Sequence, residues 1–108
     1  MALEDLGDEI RRRGRAGYLI TVSADGRPHT VSVNARWEDG TIVTAPGNRT
    51  VANAAARPLV TLLWPPIDDD GLTLLVDGAV VSAVAPDDGD NRVAIRPSGA
   101  VLHRAAAG

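Results

Sequence analysis

The chain has no cysteine, no phenylalanine and no lysine. The first absence removes disulfides, thiolate metal sites and a cysteine nucleophile. The last removes a Schiff-base or general-base lysine. Aromatic residues are only 3% of the sequence, so Val, Leu, Ile and Ala must fill any core. Small apolar side chains bury less area each, and a domain built from them gains from self-association. No apolar run reaches the length of a membrane helix, so no membrane partner is expected. The opening "MALEDLGDEIRRRGRAG" sets acids ahead of its basic cluster and has no long apolar segment behind it. That is not a secretory signal, and a cytoplasmic protein is the expectation. The net charge of -3 argues against a nucleic-acid partner, because such domains are usually basic.

What is present points to one globular domain spanning 1–108. Its length is near the commonest domain size, and 44% hydrophobic residues is ordinary for a folded chain. The charge is uneven. Residues 1–60 carry eight Arg against seven acids, and 61–108 carry three Arg against seven acids.

Leu3, Leu6 and Ile10 recur at i, i+3 and i+7, one face of a short amphipathic helix ending before Gly14. Acids at its start and Arg11 to Arg13 at its end suit the helix dipole, and the arginines read as a solvated terminus. Then "GYLITVS" at 17–23 reads as a strand, "ADGR" at 24–27 as a tight turn, and "PHTVSVNARW" at 28–37 as a clean alternation. In the last, His29, Val31, Val33, Ala35 and Trp37 share one face, and Thr30, Ser32, Asn34 and Arg36 the other. "EDG" at 38–40 turns the chain into a third strand, "TIVTA". A helix is expected over Thr50 to Arg57. "LVTLLWPP" at 59–66 is apolar on both faces, so both faces need cover, the second from another subunit. "IDDDG" is an acidic turn, and 72–84 is a long strand in which Gly78 marks a bulge. "APDDGDN" is a further turn, "RVAIRP" a last strand, and the alanine-rich end of "SGAVLHRAAAG" a frayed tail. About six strands and two helices, with short turns between strands, predict a mainly β fold: a small barrel or sandwich.

Chemistry-bearing residues are few. His29 and His103 are the only histidines, too far apart in sequence for a metal spacing. The Asp clusters at 68–70 and 87–90 lack the ligand spacing of a calcium loop. No serine sits in a nucleophile elbow. The informative stretch is "TAPGNRTVANAAARP", 44–58. Asn48 or Thr50 can cap the helix there, and its unpaired N-terminal N–H groups attract an anion. Arg49 adds a permanent charge whose fork fits phosphate oxygens, and Thr44 can add a hydroxyl. A plain capped helix with one exposed arginine would carry the same residues.

The order of these pieces resembles the pyridoxamine 5'-phosphate oxidase-like FMN-binding split-barrel family. The carrying segments are "GYLITVSADGRPHTVSV" and "DGTIVTAPGNRTVANAAARPLVTLLW", with Gly26, Pro28, His29, Thr44, Arg49, Asn53 and Pro58 at the matching positions. The resemblance covers roughly residues 15 to 83. It implies a six-stranded antiparallel split β-barrel with two short helices, forming a homodimer with flavin sites in the clefts between subunits. On that pattern Thr44, Asn48, Arg49 and Thr50, with Asn53 nearby, hold the phosphate of FMN. The ring lies along Val31, Ser32 and Val33, and Trp64 sits close to the interface. Some relatives prefer a deazaflavin, and others bind haem or no cofactor. The chain is shorter than pyridoxamine-phosphate oxidase and lacks the C-terminal elements that bind its substrate, so that activity is not carried over. An FMN-binding oxidoreductase-like protein with an unidentified small-molecule substrate is the leading expectation. A non-catalytic flavin, deazaflavin or haem carrier, or a cofactor-free interaction domain, is the alternative.

Overall fold

Alternating apolar residues put one face of each of six strands inside a closed barrel. In this computed structural model, which describes residues 1–68 and 71–106, the strands are β1 (Ala16–Val22), β2 (Pro28–Glu38), β3 (Thr41–Thr44), β4 (Leu59–Trp64), β5 (Thr73–Val84) and β6 (Arg92–His103). They are antiparallel throughout and close in the order β1-β2-β3-β6-β5-β4. A single turn of 3-10 helix at Leu3–Asp5 leads into α1 (Leu6–Arg13), and α2 (Asn48–Ala56) lies between β3 and β4. The mainly β, six-stranded barrel with two short helices is thus as expected.

The β2–β3 hairpin turns on Asp39 and Gly40, both at positive φ (47° and 85°), the geometry whose twist matches its strands. The bulge expected at Gly78 is present, with a register shift between Asp77 and Gly78. A Cβ there would stand 2.7 Å from the carbonyl oxygen of Arg96, so only glycine lets β5 and β6 approach so closely.

The core is aliphatic around one large ring. Leu19, Ile42, Leu62, Leu74, Val76, Val93 and Ile95 are fully buried with Trp64, whose indole N–H donates to the carbonyl of Gly14 at 3.1 Å. Leu6 and Ile10 of α1 close one end of the barrel. Leu3, expected on that same face, is exposed because the chain there winds as 3-10 helix and breaks the 3.6-residue period.

Two expectations need correction. The last strand does not stop at Pro97. It runs on to His103, because β5 is equally long and pairs with it as far as Thr73 opposite His103. The arginines closing α1 are not uniformly solvated either. Arg11 and Arg12 face water, but the Arg13 side chain is 3% exposed and pairs with Glu9 at 3.1 Å. Arg13 also donates to the carbonyls of Trp64 and Pro65, tying α1 to the end of β4. The acidic turn read at 67–71 lies in part outside the described residues, as does the end of the tail.

Hydrogen bonding from Arg12, with a further bond from Arg13, holds the Glu9 carboxyl below its ordinary pKa against the opposing effect of burial. A lowered native pKa makes the contribution of Glu9 fully present above the unfolded value, about 4.3. That contribution is lost as pH falls through the lower native value. Glu9→Gln is therefore expected to cost about 1–3 kcal/mol at pH 6, by leaving buried Arg13 without its counter-charge. The gap to wild type should narrow as pH falls below about 4.3 and through the lower native value. Urea unfolding of both proteins from pH 6 down through that range checks it.

Candidate functional site

The site begins where two paired strands differ in length. β2 has 11 residues and β3 only four. Residues 35–38 of β2 pair with β3, while 28–34 pair with β1 alone. Along 28–34 the edge facing away from β1 therefore has no strand partner among the described residues. The segment holds Val31, Ser32 and Val33, whose backbone the resemblance places along a flavin ring. Val33 is buried, Val31 half-buried and Ser32 exposed.

The divergence is fixed at Thr44. Its hydroxyl, 2% exposed as a residue, donates to the carbonyl of Asn34 at 2.7 Å. Thr44 thus pins the last rung of the β2–β3 ladder, and its only hydroxyl proton is committed there. Beyond it the chain turns through Ala45, Pro46 and Gly47 into α2. The helix starts at Asn48, two residues before the expected Thr50, and its N-cap is Gly47, which has no side chain to cap with. Neither Asn48 nor Thr50 takes the capping role given to them, because both lie inside the first turn. Asn48 instead accepts from the side-chain amide of Asn91 at 2.9 Å. Asn91 also donates to the carbonyl of Pro46 at 2.8 Å, so the β5–β6 loop props the start of α2. Nothing local in "DGDN" reveals that long-range contact, and sequence reasoning missed it.

The electrostatics of the two helices differ in kind. α1 has Asp8 and Glu9 in its first turn and three arginines in its last, the order its dipole favours. α2 has no acid in its first turn and carries Arg49 there. Arg49 is exposed and, among the described residues, makes no hydrogen bond or ion pair. A cation beside the positive end of a helix, with uncapped N–H groups next to it, is an arrangement that an anion relieves.

The remaining expected residues form the frame. Asn53, 6% exposed, donates to the hydroxyl of buried Thr21 at 3.3 Å and accepts from Arg57 at 3.4 Å. Arg57 in turn donates to the carbonyl of Val22 at 2.5 Å, locking α2 onto β1. Trp64 is a core side chain, 1% exposed, because its position in β4 faces inward with Val60 and Leu62. It presents no surface for a ligand in the protomer. His29 lies at the start of β2 opposite Thr21, and His103 ends β6 opposite Thr73, so they share no strand pairing. Of two further cations, Arg36 was read only as part of the polar face of 28–37, and Arg92 was not singled out from sequence. Arg36 and Arg92 both approach Glu38, at 2.9 and 3.7 Å, beside a cavity of about 180 Å³ that Thr44, Ala45 and Asn91 also line.

No protein-family model matches the chain. The uncharacterized proteins Mb0449c of Mycobacterium bovis and MT0457 of Mycobacterium tuberculosis are each 45% identical to it over 101 residues, covering 83% of this chain and 71% of the relative. Among solved structures, an FMN-binding protein from Syntrophomonas wolfei matches with a TM-score of 0.73 at 14% identity, covering 97% of this chain and 88% of that one. An F420 reductase matches at 0.72 and 18% identity, over 87% and 94%. A Clostridium acetobutylicum protein of the pyridoxinephosphate oxidase family matches at 0.69 and 14%, over 96% and 91%. At such identities these likenesses show the fold alone, a six-stranded split barrel shared with those proteins. Within that class, it belongs to one family with the two mycobacterial proteins.

If Asn53 is part of the frame, Asn53→Ala should destabilise the protein by about 1–3 kcal/mol through the partners it leaves unmet. Arg49→Ala should change stability by less than about 0.5 kcal/mol, as an exposed side chain with no partner. Urea midpoints of the two variants distinguish the roles. Equal midpoints would remove Asn53 from the frame.

Proposed function

We propose that this chain binds a flavin-type cofactor, FMN first, and serves as an oxidoreductase-like flavoprotein acting as a homodimer on a small molecule. One observation carries the reading: a turn of three residues after the rung at which β2 loses its β3 partner, an uncapped helix starts, and the arginine in its first turn has no partner among the described residues. The backbone N–H groups of Asn48, Arg49 and Thr50, with the Arg49 guanidinium, suit a terminal phosphate. The free backbone along Val31–Val33 offers donors and acceptors to the polar rim of a flat ring. Thr44 and Asn53 contribute by holding the two halves in register. A bound flavin would supply hydride or electron transfer, while the protein supplies orientation and electrostatics. The likeness to an FMN-binding protein and to an F420 reductase favours a flavin or a deazaflavin, with FMN the better fit to a single phosphate-sized anion site.

The homodimer rests on a second surface. Outside the barrel, Tyr18, Leu63, Leu75 and Val101 stand in one cross-strand row over β1, β4, β5 and β6. Ile20, Val22 and Leu59 extend the same apolar face, and Leu59 is 75% exposed. A face of this kind on so small a protein marks an association surface.

Two measurements test these readings. Arg49→Ala should weaken FMN by about 1.5–3 kcal/mol while changing riboflavin, which lacks the phosphate, much less. Titration of both ligands, followed by their visible spectra, reads this directly. Equal losses would take Arg49 out of the phosphate role, and no affinity for FMN or a deazaflavin in the parent would end the flavin reading. For assembly, the parent is expected to sediment as a dimer and Val101→Arg as a monomer, since that side chain is exposed in the protomer. A monomeric parent would contradict the dimer.

A further inference from the structure

A second groove, of about 330 Å³, runs between α1 and β2. Its lining is Ile10, Arg11, Gly14, Arg15, Ala35, Arg36 and Trp37. Every charged residue in that lining is an arginine, in a chain whose 14 acids outnumber its 11 basic residues. The local sign is therefore opposite to that of the molecule as a whole. The floor is apolar, since Ile10 and Ala35 are 2% and 1% exposed. One wall is an indole held in place: Trp37 lies so close over Gly7 that a Cβ there would stand 2.6 Å from Nε1.

The three cations are not equivalent. Arg11 and Arg36 make exposed pairs with Asp8 and Glu38, at 3.3 and 2.9 Å, of the kind that exchanges readily with a ligand. Arg15 makes no side-chain hydrogen bond or ion pair among the described residues. Its backbone is nonetheless fixed, because its carbonyl accepts from the amide of Ala35 at 2.8 Å. A free guanidinium on a rigid base beside a flat apolar wall selects for charge and planarity together. The volume is at the low end for small-molecule sites.

We infer that this groove is a binding site for a small planar carboxylate, gripped by Arg15 and stacked against Trp37. The site does not depend on the flavin reading, because it uses neither α2 nor the free edge of β2. Arg36 separates it from the cavity beside Thr44, so an anion seated here would lie on the neighbouring side of the same strand.

Phthalate, a planar dianion, is the probe, followed by the indole N–H resonances of the protein. There are two tryptophans, and the buried Trp64 serves as the internal control. Phthalate should shift the Trp37 resonance and leave that of Trp64 in place. Arg15→Ala should weaken binding about tenfold, as expected for one charge-assisted bond. Arg15→Lys should recover part of the loss, and the amide spectrum reports whether each variant is folded. Arg27→Ala, at the exposed β1–β2 turn, should bind as the parent does. No Trp37 shift up to about 10 mM phthalate, well past the millimolar range of weak sites, would overturn the assignment. So would an equal loss in Arg27→Ala, which would mark diffuse charge attraction.

Discussion

The hydrogen bond from Thr44 to the carbonyl of Asn34 is the point on which the site turns. It closes the last rung between β2 and β3, and everything distinctive follows from the ladder ending there. Below it, residues 35–38 of β2 pair with β3, and the amide of Ala35 still reaches the carbonyl of Arg15 on the β1 side. Above it, β2 keeps one neighbour, and the chain that would have been the other becomes the 45–47 turn and α2. Backbone groups left without a strand partner need water, side chains or a ligand. The same event that opens the edge starts a helix after a turn of three residues, since both are consequences of β3 being four residues long.

Holding that opening requires anchors from elsewhere, and the arginines supply several. Arg57 bonds the carbonyl of Val22 and fixes the end of α2 to β1, while Arg13 bonds the carbonyls of Trp64 and Pro65 and fixes α1 to β4. In both cases a helix-terminal arginine satisfies backbone oxygens where a strand ends, a task suited to a planar fork with several donors. A chain without lysine thus uses guanidinium for structure as well as for surface charge. Asn91 does the corresponding work at the other end of α2, joining Pro46 and Asn48 to the β5–β6 loop.

Much of this architecture was legible in the sequence, because it rests on local pattern. Alternation in 28–37 gave the inward and outward faces of β2, "EDG" gave the hairpin, and Gly78 gave the bulge. Three features were not legible, each because a distant residue decides it. β6 continues past Pro97 since β5 is there to pair with it, whereas the sequence after 97 shows little alternation. Arg13 looks like its neighbours Arg11 and Arg12 in sequence, and only the carbonyls at 64 and 65 make it a buried group. The cap of α2 was misread because Asn48 and Thr50 are favoured capping residues, while Asn91 draws Asn48 into the first turn and leaves Gly47 at the boundary. In the stretch 44–58, residue types marked out a strand end, a turn and a helix but not the division of labour within them, where Thr44 and Asn53 act as frame and Arg49 has no partner among the described residues.

That division bears on how the stretch should be understood. Natural helices tend to keep cations away from their N-termini, and α1 follows the rule on both of its ends. α2 breaks it with Arg49, adds no acid in the first turn, and has glycine where a capping side chain would relieve the same charge. Each of these choices costs a little stability alone, and no acidic side chain among the described residues pairs with Arg49 to offset them. Local rules broken together at one place, in a chain that keeps them elsewhere, are what a binding function leaves behind. Under the proposed phosphate site the missing cap and the unpaired guanidinium would share one explanation, a counter-charge that comes from outside the protein.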